Sequence, residues 1–296
     1  MNILLAGGSG FLGTALKNNL SLQHNVFILT RQSANSSHKI QWDGKTTGDW
    51  VKRLSEMDAV INLTGFGLEH WPWTQRQKQR FVDSRVIPGL ALAEAFEKSF
   101  RRPGVFIQVS GINRYGLRGE EIADELTSPA EDFLAQLTVQ WEDATQSVEK
   151  LGIRRIVTRN SVVLAQNGGL FPLMALPVLL LFGGNFGNGQ QSMNWIHIKD
   201  YVRAIEFLLE NHQANGAFNL IAPQPTTSEE FMRAIAKTLH RPFWFHVPKW
   251  MLQMTLGEMN VLLTEGRSAK PRHLLELGFQ FKYGELNSAL QDLFSN

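Results

Sequence analysis

"MNILLAGGSGFLGTAL", residues 1–16, opens the chain and sets Gly7, Gly10 and Gly13 at intervals of three. The aliphatic run Ile3 to Ala6 reads as a strand and the residues after the glycines as a helix, which is the strand–turn–helix order of a dinucleotide-binding unit. In such a unit the first glycine permits the tight turn, the second lets the backbone approach a pyrophosphate, and the third lets the helix pack closely. The helix start then offers unpaired amides, here around Phe11 and Leu12, to the phosphates. The spacing is G-x-x-G-x-x-G, and the glycines alone are also compatible with a plain turn. Their context carries the assignment.

That context is an alternation of short β-branched or aliphatic runs with longer amphipathic stretches. The runs are Ile3 to Ala6, Val26 to Thr30, Ala59 to Leu63, Val105 to Ser110 and Arg155 to Arg159. Strands alternating with helices predict an α/β fold, a doubly wound parallel sheet covered on both faces. The rhythm breaks after Leu164, where "AQNGG", the apolar run "LFPLMALPVLLLF" (Leu170–Phe182) and "GGNFGNGQQSMN" form an insertion bounded by glycines. A further helix follows in "WIHIKDYVRAIEFLLEN", and "AFNLI" (Ala217–Ile221) supplies another strand. From Pro223 the composition turns to helices rich in Met, Leu and Trp. We therefore expect a dinucleotide-binding domain of residues 1–165 and 194–222, interleaved with a smaller, mainly helical domain of 166–193 and 223–296. The cleft between them is the expected site of a small-molecule substrate.

Bulk numbers exclude several classes. Twenty-nine Lys and Arg against 27 Asp and Glu leave +2, so no basic surplus suggests nucleic acid or an anionic membrane as partner. No cysteine is present, which removes disulfides, thiolate metal sites and a cysteine nucleophile. The apolar run is shorter than the about 20 residues of a spanning helix and contains Pro172 and Pro177, so it reads as an internal lid or packing segment. With no signal-peptide pattern at Met1, a cytoplasmic location is expected. The eight histidines form no ligand motif, and no metal is expected. "QRQKQR" (Gln75–Arg80) reads as a solvated helix face.

The second strand chooses the cofactor. Enzymes that prefer NAD place Asp or Glu at its end to bind the ribose 2′-hydroxyl. Here it ends "FILTRQ", the first acidic residue is Asp43, and Thr30 and Arg31 occupy the position. Arg31 can pair with a 2′-phosphate, which favours NADP over NAD; a merely solvated Arg31 leaves the choice open.

Together with "NLTG" (Asn62, Leu63, Thr64, Gly65) and "GNGQQSMNWIHIKD" (Gly187–Asp200), these residues resemble the extended short-chain dehydrogenase/reductases, the NAD(P)-dependent epimerase/dehydratase superfamily. The nearer resemblance is to its atypical "epimerase family protein" branch, through "WTQRQKQRFVDSRV" and "GEMNVLLTEGRSAKPRHLLELGFQF". The resemblance covers essentially the whole chain. It implies a Rossmann fold with its own C-terminal domain and a nicotinamide cofactor, held by the glycine loop, by Asn62 to Gly65 and by Ser110.

The resemblance also exposes departures. The superfamily moves its proton with a Tyr and a Lys four residues apart, yet residues 119, 205 and 287, four beyond Tyr115, Tyr201 and Tyr283, are Gly, Ile and Asn. The helix around Glu142 puts Leu134 and Thr138 where that pair belongs. "VSGINRYG" puts Ile112 at the serine position and leaves Ser110 and Tyr115 near the nicotinamide end. Tyr115 is then either a proton donor or a shaper of the pocket. His197, beside the cleft, is either structural or a general base. Arg85 falls at an active-site Asn position, either to hold a substrate carboxylate or phosphate or as a salt-bridged structural residue. Met193 replaces the Arg that grips a diphosphate, which argues against an ordinary nucleotide-sugar substrate, and Trp195 with the Leu170–Phe182 run suggests a more apolar pocket, unless both are core. The expected function is an NADP-dependent oxidoreductase or epimerase-like enzyme; the alternative is a protein that holds NADPH and reports it without turnover.

Overall fold

The computed structural model describes residues 1–33, 36–119 and 121–295. Its strands are β1 (Asn2–Ala6), β2 (Asn25–Thr30), β3 (Lys39–Gln41), β4 (Ala59–Asn62), β5 (Val105–Gly111) and β6 (Arg154–Asn160). Beyond them run β7 (Val162–Leu164), β8 (Gly183–Phe186), β9 (Trp195–His197), β10 (Gly216–Leu220) and β11 (Phe243–Val247). Helices α1 (Phe11–Leu20), α2 (Val51–Leu54), α3 (Gln75–Lys98), α4 (Phe133–Asp143), α5 (Phe171–Leu179) and α6 (Ile198–Glu210) lie between strands. The C-terminal region adds α7 (Ser228–Thr238), α8 (Lys249–Leu256), α9 (Val261–Thr264), α10 (Arg272–Glu276) and α11 (Leu286–Phe294).

Seven strands form one parallel sheet in the order β10-β6-β5-β4-β1-β2-β3. Strand order reverses between β1 and β4, and the crevice above their C-terminal ends is where doubly wound sheets bind ligands. Alternation along β1 explains why the sheet is covered twice. Ile3 and Leu5 enter the core under α1 and α6 with Leu16, Val202 and Leu208, while Leu4 and Ala6 enter the opposite core with Leu92, Phe96 and Trp50. Each predicted strand is present to within one or two residues. The sequence reading did not include β3 or the two small parallel pairs, β7 with β9 and β8 with β11.

A third core joins Leu164, Phe171, Met174, Val178, Trp195, Phe231, Ile235, Leu290 and Leu293. It draws on the insertion, on β9 and on the C-terminal helices. Leu274 and Phe279, however, pack into the sheet core beside Phe218, so the chain returns to the sheet late. The apolar run is half internal. Phe171, Met174, Ala175 and Val178 are buried, whereas Leu173, Leu176 and Leu179 to Phe182 are exposed. No helix among the described residues is long and apolar enough to cross a membrane.

Candidate functional site

The glycine loop is built as its spacing requires. Gly7 has φ +80°, and a Cβ there would fall 3.0 Å from the carbonyl of Leu63, so a side chain meets both backbone strain and backbone atoms. Gly13 sits over the loop, where a Cβ would be 2.5 Å from Gly8 Cα and 2.7 Å from Gly7 O. Gly10, by contrast, would meet only Gly7 O at 3.4 Å, and it is exposed. It caps α1 with no side chain, leaving the first amides of the helix facing open space. The three glycines thus have three different jobs: turn, opening and packing. This cradle fits a pyrophosphate.

Two cavities continue from the loop. One, of about 560 Å³, is lined by Gly7, Gly10, Thr30, Arg31, Thr64 and Gly65, with Trp42, Lys45 and Arg80 completing it. Of these the sequence reading missed Trp42 and Lys45, which β3 and its loop carry in. It treated Arg80 as solvated: the residue is exposed, stacks on Phe66 at 4.5 Å, and still lines this cavity. Asp43 also borders it, but its carboxylate closes a turn. Oδ1 accepts from the Lys45 and Thr46 amides at 2.7 and 2.9 Å and Oδ2 from the Thr46 hydroxyl at 2.7 Å. Those bonds, the Thr46 amide first, lower its pKa. Thr30 accepts from the Gln32 amide at 3.2 Å.

Asn62 is fully buried and acts on the loop's shape. Its Nδ2 donates to Gln108 Oε1 at 2.9 Å, and its Oδ1 accepts from the amide and hydroxyl of Thr64 at 3.1 and 2.7 Å. Leu63, Thr64 and Gly65 face the cavities directly.

The second cavity, of about 390 Å³, runs past Leu63 and Gly65, lined by Phe11, Leu12, Ser110, Arg85, Thr138 and Met193 among others. The insertion reaches it through Gly168 and Gly169, which lie against the Phe11 ring. Met193 is therefore cleft lining, while Trp195 is core: it is 1% exposed and its Nε1 donates to Thr226 Oγ1 at 3.2 Å. Thr138 donates to the carbonyls of Leu134 and Ala135, a helix-internal use of its hydroxyl.

Three residues expected near the chemistry are committed elsewhere. The Ser110 hydroxyl donates to Glu142 Oε1 at 2.8 Å. Tyr115 is 1% exposed and does not line the cleft; its hydroxyl donates to Asn219 Oδ1 at 2.7 Å and accepts from Arg159 Nη1 at 2.8 Å. Burial pushes its pKa up to about 12 despite Arg159 beside it, which makes it a poor proton shuttle. His197 is fully buried at the start of α6. Its Nδ1 accepts from the Lys199 amide at 3.2 Å and its Nε2 lies 3.3 Å from Asp292 of α11. Burial pushes the imidazole down to about 4, so it is neutral near pH 7. His197 joins the sheet domain to the last helix and does not reach the cleft.

Outside the cleft, the ligand atoms of His24, Glu206 and Glu210 lie within 4.8 Å of one another, at the junction of α1 and α6. Nothing links this group to the cavities.

Comparison with known proteins agrees with this geometry. The NAD dependent epimerase/dehydratase family profile matches residues 3–220, and a domain of unknown function, DUF1731, matches 247–293. Epimerase family protein YfhF of Bacillus subtilis is 35% identical over 100% of this chain and 99% of its own. The human epimerase family protein SDR39U1, solved with NADPH, superposes with a TM-score of 0.91 at 30% identity over all of both chains. UDP-glucose 4-epimerase of Thermotoga maritima shares the fold alone, with a TM-score of 0.78 at 19% identity over 99% of this chain and 97% of its own. A glycine cradle under a seven-stranded parallel sheet, matched over three quarters of the chain by one family profile, leaves a single assignment: the chain belongs to the NAD-dependent epimerase/dehydratase family.

Proposed function

We propose that the protein binds NADP(H) and uses it for hydride transfer on a small, partly apolar substrate held in the 390 Å³ cleft. The observation that carries this is the open face of Gly10 beside a cavity edged by Arg31, Lys45 and Arg80. Three cations around one pocket suit a phosphate-bearing ribose, and the NADPH bound by the human relative agrees. When bound, the cofactor supplies hydride chemistry at its nicotinamide.

The chain's own residues then do the rest. Gly7, Gly10 and the first amides of α1 hold the pyrophosphate; Leu63 to Gly65 form the floor where the two cavities meet. Val109, Leu134, Leu137 and Met193 keep the far wall apolar. With Ser110, Tyr115 and His197 committed to buried partners, the proton comes from water or from the substrate's own groups.

The same commitments favour a second reading, an NADPH-binding protein that reports occupancy without turnover. A screen of carbonyl compounds for NADPH oxidation by purified protein, with Gly10→Asp as the control, separates the two. Oxidation lost in Gly10→Asp supports the enzyme. Tight NADPH binding with no oxidation supports the sensor, and absence of NADPH binding sinks both.

A further inference from the structure

The α3 wall of the cleft carries a buried cation that meets no carboxylate among the described residues. Arg85 is 7% exposed, and no carboxylate among the described residues lies within 4.0 Å of it. Its Nη1 is fully used, donating to Phe66 O at 2.9 Å, Phe81 O at 3.1 Å and Ser84 Oγ at 3.4 Å. Its Nε and Nη2 find no acceptor among the described residues. One face of the guanidinium lies 4.8 Å from the Trp141 ring. Gly65 lies over the guanidinium and admits it because it has no side chain: a Cβ there would fall 3.3 Å from Cζ and 3.5 Å from both Nε and Nη2. Desolvation pushes the group down to about 10, with Glu69 opposing, so it stays cationic at neutral pH.

A structural arginine is normally satisfied by its own fold, because an unpaired buried charge is costly. Here the fold positions Nη1 and leaves the Nε–Nη2 edge to the cavity. That edge is the side-on fork that receives a carboxylate through two parallel bonds. Against Arg85 alone a carboxylate matches one to one and a phosphate dianion leaves a charge over, and Glu69 in the same wall disfavours the dianion more than the monoanion. Building on the proposed reading of this cleft as the substrate site, we infer that the substrate is a carboxylic acid with an apolar body. Arg85 Nε and Nη2 receive its carboxylate, and Leu117, Leu134, Leu137 and Met193 contact the remainder.

The probes are benzoate and hexanoate, each against its neutral amide, titrated calorimetrically into the full-length protein with and without saturating NADPH. The acids are expected to bind about tenfold or more tightly than the amides. Arg85→Gln should erase that preference while leaving NADPH affinity within about twofold. Glu69→Gln should tighten acid binding by removing a nearby negative charge. If Arg85 merely pairs with Glu69, that variant loses stability and gains no affinity. Equal binding of acid and amide, no binding of either acid, or an acid preference that survives Arg85→Gln overturns the inference. Failure of NADPH to bind counts instead against the proposed function, and acid binding at Arg85 is read independently of it.

Discussion

Arg159 and Glu142 meet through two parallel bonds, Nε to Oε1 at 2.9 Å and Nη2 to Oε2 at 3.0 Å, with both residues buried. Arg114 Nη1 stands 3.3 Å from the same Oε2, and the Ser110 hydroxyl completes Oε1. Ser110 and Tyr115, which the sequence alone put near a nicotinamide end, belong here to a buried scaffold. Glu142→Gln leaves two arginines facing an amide, and is expected to cost about 3 to 5 kcal/mol in urea unfolding. Tyr115→Phe orphans Asn219 Oδ1 and is expected to cost about 1 to 3 kcal/mol, with any activity changed only few-fold. A Tyr115→Phe protein of normal stability but abolished turnover would return Tyr115 to the chemistry.

The His197 imidazole gives a second test, through pH. The unfolded side chain takes a proton near 6.5 and the folded one only near 4, because burial outweighs the pull of Asp292 and Asp200. Between those values the unfolded state binds more protons, so stability is full above about pH 6.5 and falls as pH drops toward 4. At pH 5 the loss is about 2 kcal/mol relative to pH 7. His197→Asn keeps an acceptor for the Lys199 amide but cannot titrate. Its stability is expected to fall less over that interval by about that amount; identical slopes would exclude His197 as the cause.

Legibility followed burial. β1, β4 and β5 are covered on both faces and read as largely apolar runs, and β6, equally buried, shows through Ile156 and Val157 between its arginines. β3 is a three-residue edge strand with Lys39 and Gln41 exposed, and β8 begins Gly183-Gly184-Asn185, so neither carries an apolar signal. The glycine loop was legible because its chemistry is local. The alternatives for Tyr115 and His197 stayed open in the sequence because their partners are remote: Asn219 lies 104 residues beyond Tyr115, and Asp292 is on the last helix. Lys45 and Trp42 enter the cofactor side only once β3 pairs with β2, a contact with no mark in the sequence.

The division of labour among the glycines separates folding from binding. Gly13→Ala places a methyl 2.5 Å from Gly8 Cα, where only backbone can yield, and is expected to cost about 1 to 3 kcal/mol and to weaken dinucleotide binding with it. Gly10→Asp meets no such wall, so the fold should survive, but a carboxylate then occupies and repels the pyrophosphate position. Circular dichroism with NADPH titration distinguishes the two. A Gly10→Asp protein that still binds NADPH normally would show that the cradle is not the phosphate site.

The cofactor preference can be read at Arg31, which is exposed at the end of β2 and lines the same cavity as Lys45 and Arg80. A charged bond to a 2′-phosphate contributes about 1.5 to 3 kcal/mol, so NADPH is expected to bind roughly ten to a hundred times more tightly than NADH. Exposure places the value toward the lower end. Arg31→Ala should remove much of this by weakening NADPH while NADH changes little, and Lys45 and Arg80 retain a remainder. Arg31→Asp should reverse the order, because a carboxylate accepts from the ribose hydroxyl and repels the phosphate. Asp43 does not already play that part, since the Lys45 and Thr46 amides and the Thr46 hydroxyl hold its two oxygens in the turn. Titration of both cofactors against the three proteins decides: equal affinities in the wild type, or a preference for NADPH that survives Arg31→Asp, refute the role assigned to Arg31.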